Sequence, residues 1–132
     1  MDKHTQRDRI TQEILDAYGI QPEYLWADSP DSAVFRHPGS KKWFGIFMRV
    51  ERKRLHLTGN EAVDILNVKC DPILIGALRR EPGFLPAYHM NKDSWISILL
   101  DGTVPDDRIL PLLDMSYDLV APRTRSRNKQ SK

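Results

Sequence analysis

The stretch Trp43-Phe44-Gly45-Ile46-Phe47-Met48 has an apolar side chain at every position except the glycine. In an extended chain, successive side chains point to opposite faces. Strict alternation therefore sends Trp43 and Phe47 one way and Phe44, Ile46 and Met48 the other. A strand that is apolar on both faces belongs inside a sheet, with at least part of each face covered. The run is far shorter than the roughly 20 residues a membrane-spanning helix needs, so the rest of the chain must supply partner strands and cover.

The flanking sequence supplies both. Ala33-Val34-Phe35-Arg36, a turn at His37-Pro38-Gly39-Ser40 and the run from Lys41 to Met48 read as a hairpin. A charged turn at Glu51-Arg52-Lys53-Arg54 follows, then a short Leu55-His56-Leu57 strand, a turn at 58–61 and a strand ending Ile65-Leu66-Asn67-Val68-Lys69. Before the hairpin, Ile10, Ile14, Leu15 and Tyr18 recur at helical spacing after Thr5-Gln6-Arg7-Asp8, a possible cap, and Gly19 is suited to a left-handed stop, so a helix is expected over 6–18. Residues 21–31 contain two prolines with Tyr24, Leu25 and Trp26 and read as a loop pinned by aromatics.

Asp71-Pro72 is a helix start, because Asp accepts from the free N–H groups of the first turn and proline at the first position has no N–H to leave unpaired. The helix is expected over 72–80, burying Ile73, Leu74, Ala77 and Leu78. A loop over 84–92 leads to a strand over 94–100. A last helix over 105–119 turns Ile109, Leu112, Leu113, Ser116, Tyr117 and Val120 inward, with Pro111 expected to kink it or split off its first turn. The fold class is α+β: an antiparallel sheet with helices packed against it, in the order α-β-β-β-β-α-β-α.

The 132 residues suffice for one domain with a real core, expected over 1–120. The lone Cys70 allows no disulfide within the chain. Residues 121–132 hold five of the chain's 20 basic side chains and none of its 18 acidic ones, so residues 1–120 carry a net charge of −3. The tail has no large apolar residue and is expected to be disordered. With no apolar leader-like segment at the start, a cytoplasmic location is the expectation. The tail also lacks the amphipathic apolar partners a membrane-surface role would need.

Three segments together carry a family likeness: Val68-Lys69-Cys70-Asp71-Pro72; Pro86-Ala87-Tyr88-His89-Met90-Asn91-Lys92-Asp93-Ser94-Trp95; and Leu100-Asp101-Gly102 with Ser116-Tyr117-Asp118-Leu119-Val120. Over roughly residues 8–121 the chain resembles the MmcQ/YjbR family of small bacterial proteins. The resemblance implies a fold similar to bacterial frataxin, described as a "double wing", and a role in DNA binding. Pro111 departs from the family pattern, and the basic tail lies outside it.

Two groups of residues suit such a role. Lys41, Lys42, Arg49, Arg52, Lys53 and Arg54 surround one hairpin with only Glu51 opposing them, and can track a phosphate backbone; charged turns also keep sheet edges soluble. Tyr88, His89, Asn91, Lys92 and Trp95 combine aromatic faces, a cation, an amide and an imidazole, and can stack on a base and hold a phosphate. The same five residues also suit a structural role, with Tyr88 and Trp95 at the edge of the core, Asn91 bonding local backbone and Lys92 solvated. Lys69 and Asp101 are candidates to line the same region. Arg123, Arg125, Arg127, Lys129 and Lys132 of the tail would add affinity.

A catalytic reading takes His89 as general acid/base, helped by Lys92 or Asp101, or Cys70 as nucleophile. No nucleophile elbow or phosphate-binding glycine loop accompanies them. His4, His37, His56 and His89 lack metal-ligand spacing, and no metal or cofactor is expected. The expected function is thus non-catalytic nucleic-acid binding, DNA foremost. The alternative is a protein-interaction module using the Tyr88–Trp95 surface.

Overall fold

The computed structural model describes residues 5–122; the tail expected to be disordered lies, from residue 123 on, outside the described residues. Helix α1 (Gln6–Tyr18) begins with a reciprocal cap: the Asp8 N–H donates to Thr5 Oγ1 (3.0 Å) and the Thr5 N–H to Asp8 Oδ2 (3.3 Å). It ends at Gly19, whose φ of 69° lets its N–H reach the Leu15 carbonyl. Strands β1 (Ala33–Arg36), β2 (Trp43–Glu51) and β3 (Ala62–Lys69) follow, then α2 (Pro72–Leu78), β4 (Phe84–Pro86), β5 (Trp95–Leu99) and α3 (Asp106–Leu119). The five strands form one sheet in the order β1-β2-β3-β5-β4, every neighbouring pair antiparallel. This is the α+β architecture expected, with β2 and β3 in the interior.

One face of the sheet meets the helices. Phe35, Phe44, Phe47, Leu66, Val68, Ile96 and Ile98 pack on Ile10 and Ile14 of α1, Ile75 and Leu78 of α2, and Ile109 and Leu113 of α3. Each large side chain so buried contributes about 1.5–3 kcal/mol. Among the described residues no α-helix packs on the other face. Loops at 24–32 and 87–92 and a 3₁₀ turn at Arg52–Leu55 cover it instead, and its apolar side chains form two smaller clusters.

Local geometry departs from the sequence reading in several places. Phe35 pairs with Gly45 but Arg36 with Trp43, so Phe44 is an extra, bulged residue in β2. The bulge turns Phe44 to the helix side with Phe47 and puts Trp43 on the opposite face with Ile46 and Met48, reversing strict alternation. The strand expected at Leu55-His56-Leu57 is absent: His56 adopts φ 60° and the Leu57 N–H closes back on the Arg52 carbonyl. β4 lies in what reads as a loop; it is an edge strand, where the missing N–H of Pro86 is tolerated. The observed order is therefore α-β-β-β-α-β-β-α.

Helix α2 ends at Leu78 and buries Ile75 and Leu78, leaving Ile73, Leu74 and Ala77 exposed. So short a helix touches the core along only one row of side chains. Helix α3 runs unbroken through Pro111, close enough to its start that the carbonyl left without a donor belongs to exposed Asp107. Ser116 then joins α3 to the sheet. Its hydroxyl donates to the carbonyl of bulged Phe44 (2.6 Å) and accepts from the Lys69 N–H (2.9 Å).

Candidate functional site

The loop-covered face carries the chain's notable surface chemistry, and two side chains buried beneath it set its shape. Asn67 and Ser97 are neighbours across β3 and β5 with no solvent exposure. The Ser97 hydroxyl donates to Asn67 Oδ1 and accepts from the Tyr88 N–H (2.9 Å), while Asn67 Nδ2 donates to the Tyr88 carbonyl (3.1 Å). Both backbone groups of Tyr88 are thereby clamped to the sheet. The next residue, His89, is held at φ 60° with its side chain exposed. Asn91 Oδ1 accepts from the Asp93 N–H (2.8 Å), folding the loop toward β5.

Two clefts share Trp43 as a common wall. The first, about 260 Å³, is mainly apolar, built from Trp26, Trp43, Ile46, Met48 and Met90, with Asp28, Ser29, Ser32 and His89 among its polar residues. The second, about 420 Å³, is lined by Arg36, Lys41, Lys42, Trp43, Lys69, Trp95 and Val120, with no carboxylate in its wall among the described residues. The β1–β2 turn presents two of its lysines. His37 Nδ1 accepts from the Gly39 N–H (2.9 Å), Lys41 takes φ 66°, and the Lys42 N–H donates to Ser40 Oγ (3.1 Å). Arg36 pairs with Glu23 (3.1 Å) and lies over the Trp43 ring (5.9 Å). Lys69 enters from the end of β3, where Ser116 holds its backbone.

The six basic residues grouped around the hairpin in the sequence fall into two sets. Lys41 and Lys42 stand at one end of β2; Arg52 to Arg54 follow its other end, about 30 Å of extended chain away. At that far end most of the charge is paired: Arg49 with Asp64 (3.4 Å), Arg52 with Asp101 (3.7 Å) and Arg54 with Glu51 (3.3 Å). Burial raises the Asp101 carboxyl, but its bonds to Thr103 and the Arg52 charge outweigh this and hold it below its ordinary value.

Of the motif-bearing loop, His89, Asn91 and Lys92 are exposed and Tyr88 is half-buried, whereas Trp95 is 9% exposed and packs on Val34, Ile46 and Ala87. Lys92 borders a separate groove with Arg54 and Tyr88. Lys69, His89 and Asp101 do not converge: Lys69 opens on the basic cleft, His89 on the apolar one, and Asp101 faces Arg52. Cys70 is buried, and burial together with Asp71 pushes its thiol up, the reverse of what a nucleophilic thiolate requires. Among the described residues no three His, Cys, Asp or Glu side chains cluster as metal ligands would, and no helix is long and apolar enough to cross a membrane. Arg123, Arg125, Arg127, Lys129 and Lys132 lie outside the described residues.

Sequence reasoning missed Trp26, Trp43 and Met90 as cleft walls and Asn67 and Ser97 as the clamp. The clamp had a signal: Ser97 is the one polar residue of β5, and Asn67 stands between Leu66 and Val68 in β3. Such a residue is stable there only when fully hydrogen-bonded.

A five-stranded antiparallel sheet with three helices on one face and a loop-built basic and aromatic surface on the other defines a small α+β class. Solved structures share the fold. A crystal structure of a Pseudomonas syringae protein superposes with a TM-score of 0.84 at 34% identity, covering 91% of this chain and 99% of the other. Deinococcus radiodurans protein DR2400 gives 0.63 at 25% identity over 97% of this chain and 83% of its own. The chain belongs to the YjbR family, whose model matches residues 15–119. It is 41% identical over 113 residues to the uncharacterized protein YyaQ of Bacillus subtilis (strain 168), covering 86% of this chain and 96% of that one.

Proposed function

We propose that the protein binds nucleic acid non-catalytically through phosphate contacts at the basic end of the open face, with DNA as the foremost ligand. The observation that carries this reading is the cleft in which Lys41, Lys42 and Lys69 gather beside Trp43 and Trp95 with no carboxylate in the wall among the described residues. Cations that lack an internal partner are the ones free to replace the counterions of a phosphate backbone. The described chain also ends against this end of the molecule: Pro122 sits where a side chain on Gly39 would fall, 2.9 Å from its ring. The paired arginines at the far end of β2 contribute little on this reading.

The test is fluorescence anisotropy of a labelled oligonucleotide with the full chain, titrated across salt. Affinity should fall steeply, and Lys41→Ala/Lys42→Ala/Lys69→Ala should make the slope of log K against log salt shallower by about two to three, near one for each phosphate that is no longer neutralised. Arg49→Ala/Arg54→Ala should leave the slope within about one. An unchanged slope in the lysine variant would remove the cleft from the mechanism. The rival use of the Tyr88–Trp95 surface, capture of a partner protein, needs an aromatic anchor. In that loop, Trp95 is buried and the fully exposed side chains are polar.

A further inference from the structure

We propose that the apolar cleft beside Trp43 receives one unstacked base of a single-stranded nucleic acid, so that the protein selects single strands over duplexes. This rests on the reading of the adjoining basic cleft as the phosphate site. All three tryptophans of the chain lie on this face. Trp26 and Trp43 meet nearly at right angles (82°, centroids 5.9 Å apart) and form a corner. A flat ring stacked on one indole turns its own edge to the face of the other, an arrangement favoured by the charge distribution of aromatic rings. Met48 and Met90 complete the wall, and thioethers pack well on ring edges.

Size and polarity narrow the occupant. At about 260 Å³ the cleft lies just below the roughly 300–1,000 Å³ of sites that enclose drug-sized ligands. It holds one heterocycle and leaves the sugar and phosphate outside. Asp28, Ser29 and Ser32 supply acceptors and hydroxyls at the wall, as a base with exocyclic amino and carbonyl groups requires; the two serine hydroxyls are 2.7 Å apart and bond each other. The phosphate then falls toward the neighbouring cleft, because Trp43 is a wall of both. A base inside a duplex is stacked on both sides and reaches such a concave site only by flipping out, which costs a few kcal/mol. An unpaired base enters freely.

The experiment uses the full chain and three labelled probes of equal strand length: a mixed-sequence single strand, the same strand with abasic spacers at every position, and a blunt duplex. The intact strand should bind about tenfold or more tightly than the abasic strand and the duplex, and should quench tryptophan emission where the abasic strand does not. Trp26→Leu should bring the intact strand down to the affinity of the abasic one. Met90→Trp, which fills the cleft, should do the same without removing an aromatic, and thermal melting checks that both variants are folded. Equal, salt-sensitive binding of intact and abasic strands would overturn base insertion while leaving phosphate binding standing, as would a preference for the duplex. No binding of any probe would overturn both readings.

Discussion

Replacing Asn67 by alanine removes three hydrogen bonds from a site with no solvent exposure, leaving the Tyr88 carbonyl and the Ser97 hydroxyl, and more weakly the Met48 sulfur, without that partner. An unsatisfied buried group costs about 1–3 kcal/mol, so with the small void left behind the variant should be destabilised by about 3 kcal/mol. For a domain of this size that lowers Tm by roughly 10 °C. Ser97→Ala orphans the Tyr88 N–H and Asn67 Oδ1, and should cost about 2 kcal/mol by the same reasoning. The double variant should fall short of the sum by about 1 kcal/mol or more, because the Ser97–Asn67 bond is counted in both single changes. Urea unfolding followed by tryptophan emission measures all three. Hydrogen exchange at the Tyr88 amide should lose its protection in Ser97→Ala. Destabilisations that add to within about 0.5 kcal/mol, or a Tyr88 amide still protected, would refute the clamp.

Three further outcomes are expected. Gly83 has φ 89° and a Cβ there would lie 2.4 Å from Val104 Cγ2, so Gly83→Ala should destabilise by about 2–3 kcal/mol in the same urea assay. Hydrogen bonding from Arg9, then from Gln6, together with the Arg9 charge, holds the Asp106 carboxyl below its ordinary value against the opposing effect of burial. The resulting stability is fully present above the unfolded pKa of about 3.9 and is lost as pH falls through the lower folded value; Asp106→Asn should therefore flatten the acid limb of a Tm-against-pH curve. Native protein should react with a thiol reagent such as dithionitrobenzoate only at the rate of opening, and at once in denaturant, because Cys70 is buried and its thiol is pushed up.

The sequence by itself determined what depends on neighbours along the chain. The capping residues Thr5 and Asp8 with Gly19 bounded α1 to the residue, and Asp71-Pro72 started α2, because caps bond backbone groups two or three positions away. The apolar run over 43–48 required an interior strand, and the Tyr88-to-Trp95 motif carried the family. Tertiary structure decided the rest. The bulge at Phe44 moved Trp43 to the open face, and nothing local announces an extra residue whose carbonyl is satisfied by Ser116, 72 positions away. The run of basic residues around the hairpin reads as one patch because charge carries no period; only carboxylates brought from Asp64 and Asp101 distinguish the paired arginines from lysines that have no ion-pair partner among the described residues. The tryptophan corner joins a loop residue to a strand residue 17 positions on, and a cleft exists only once both are placed. Caps and periodicity act over a few residues and can be read in a sequence, whereas ion pairing, burial of a polar pair and concavity are properties of segments meeting in space.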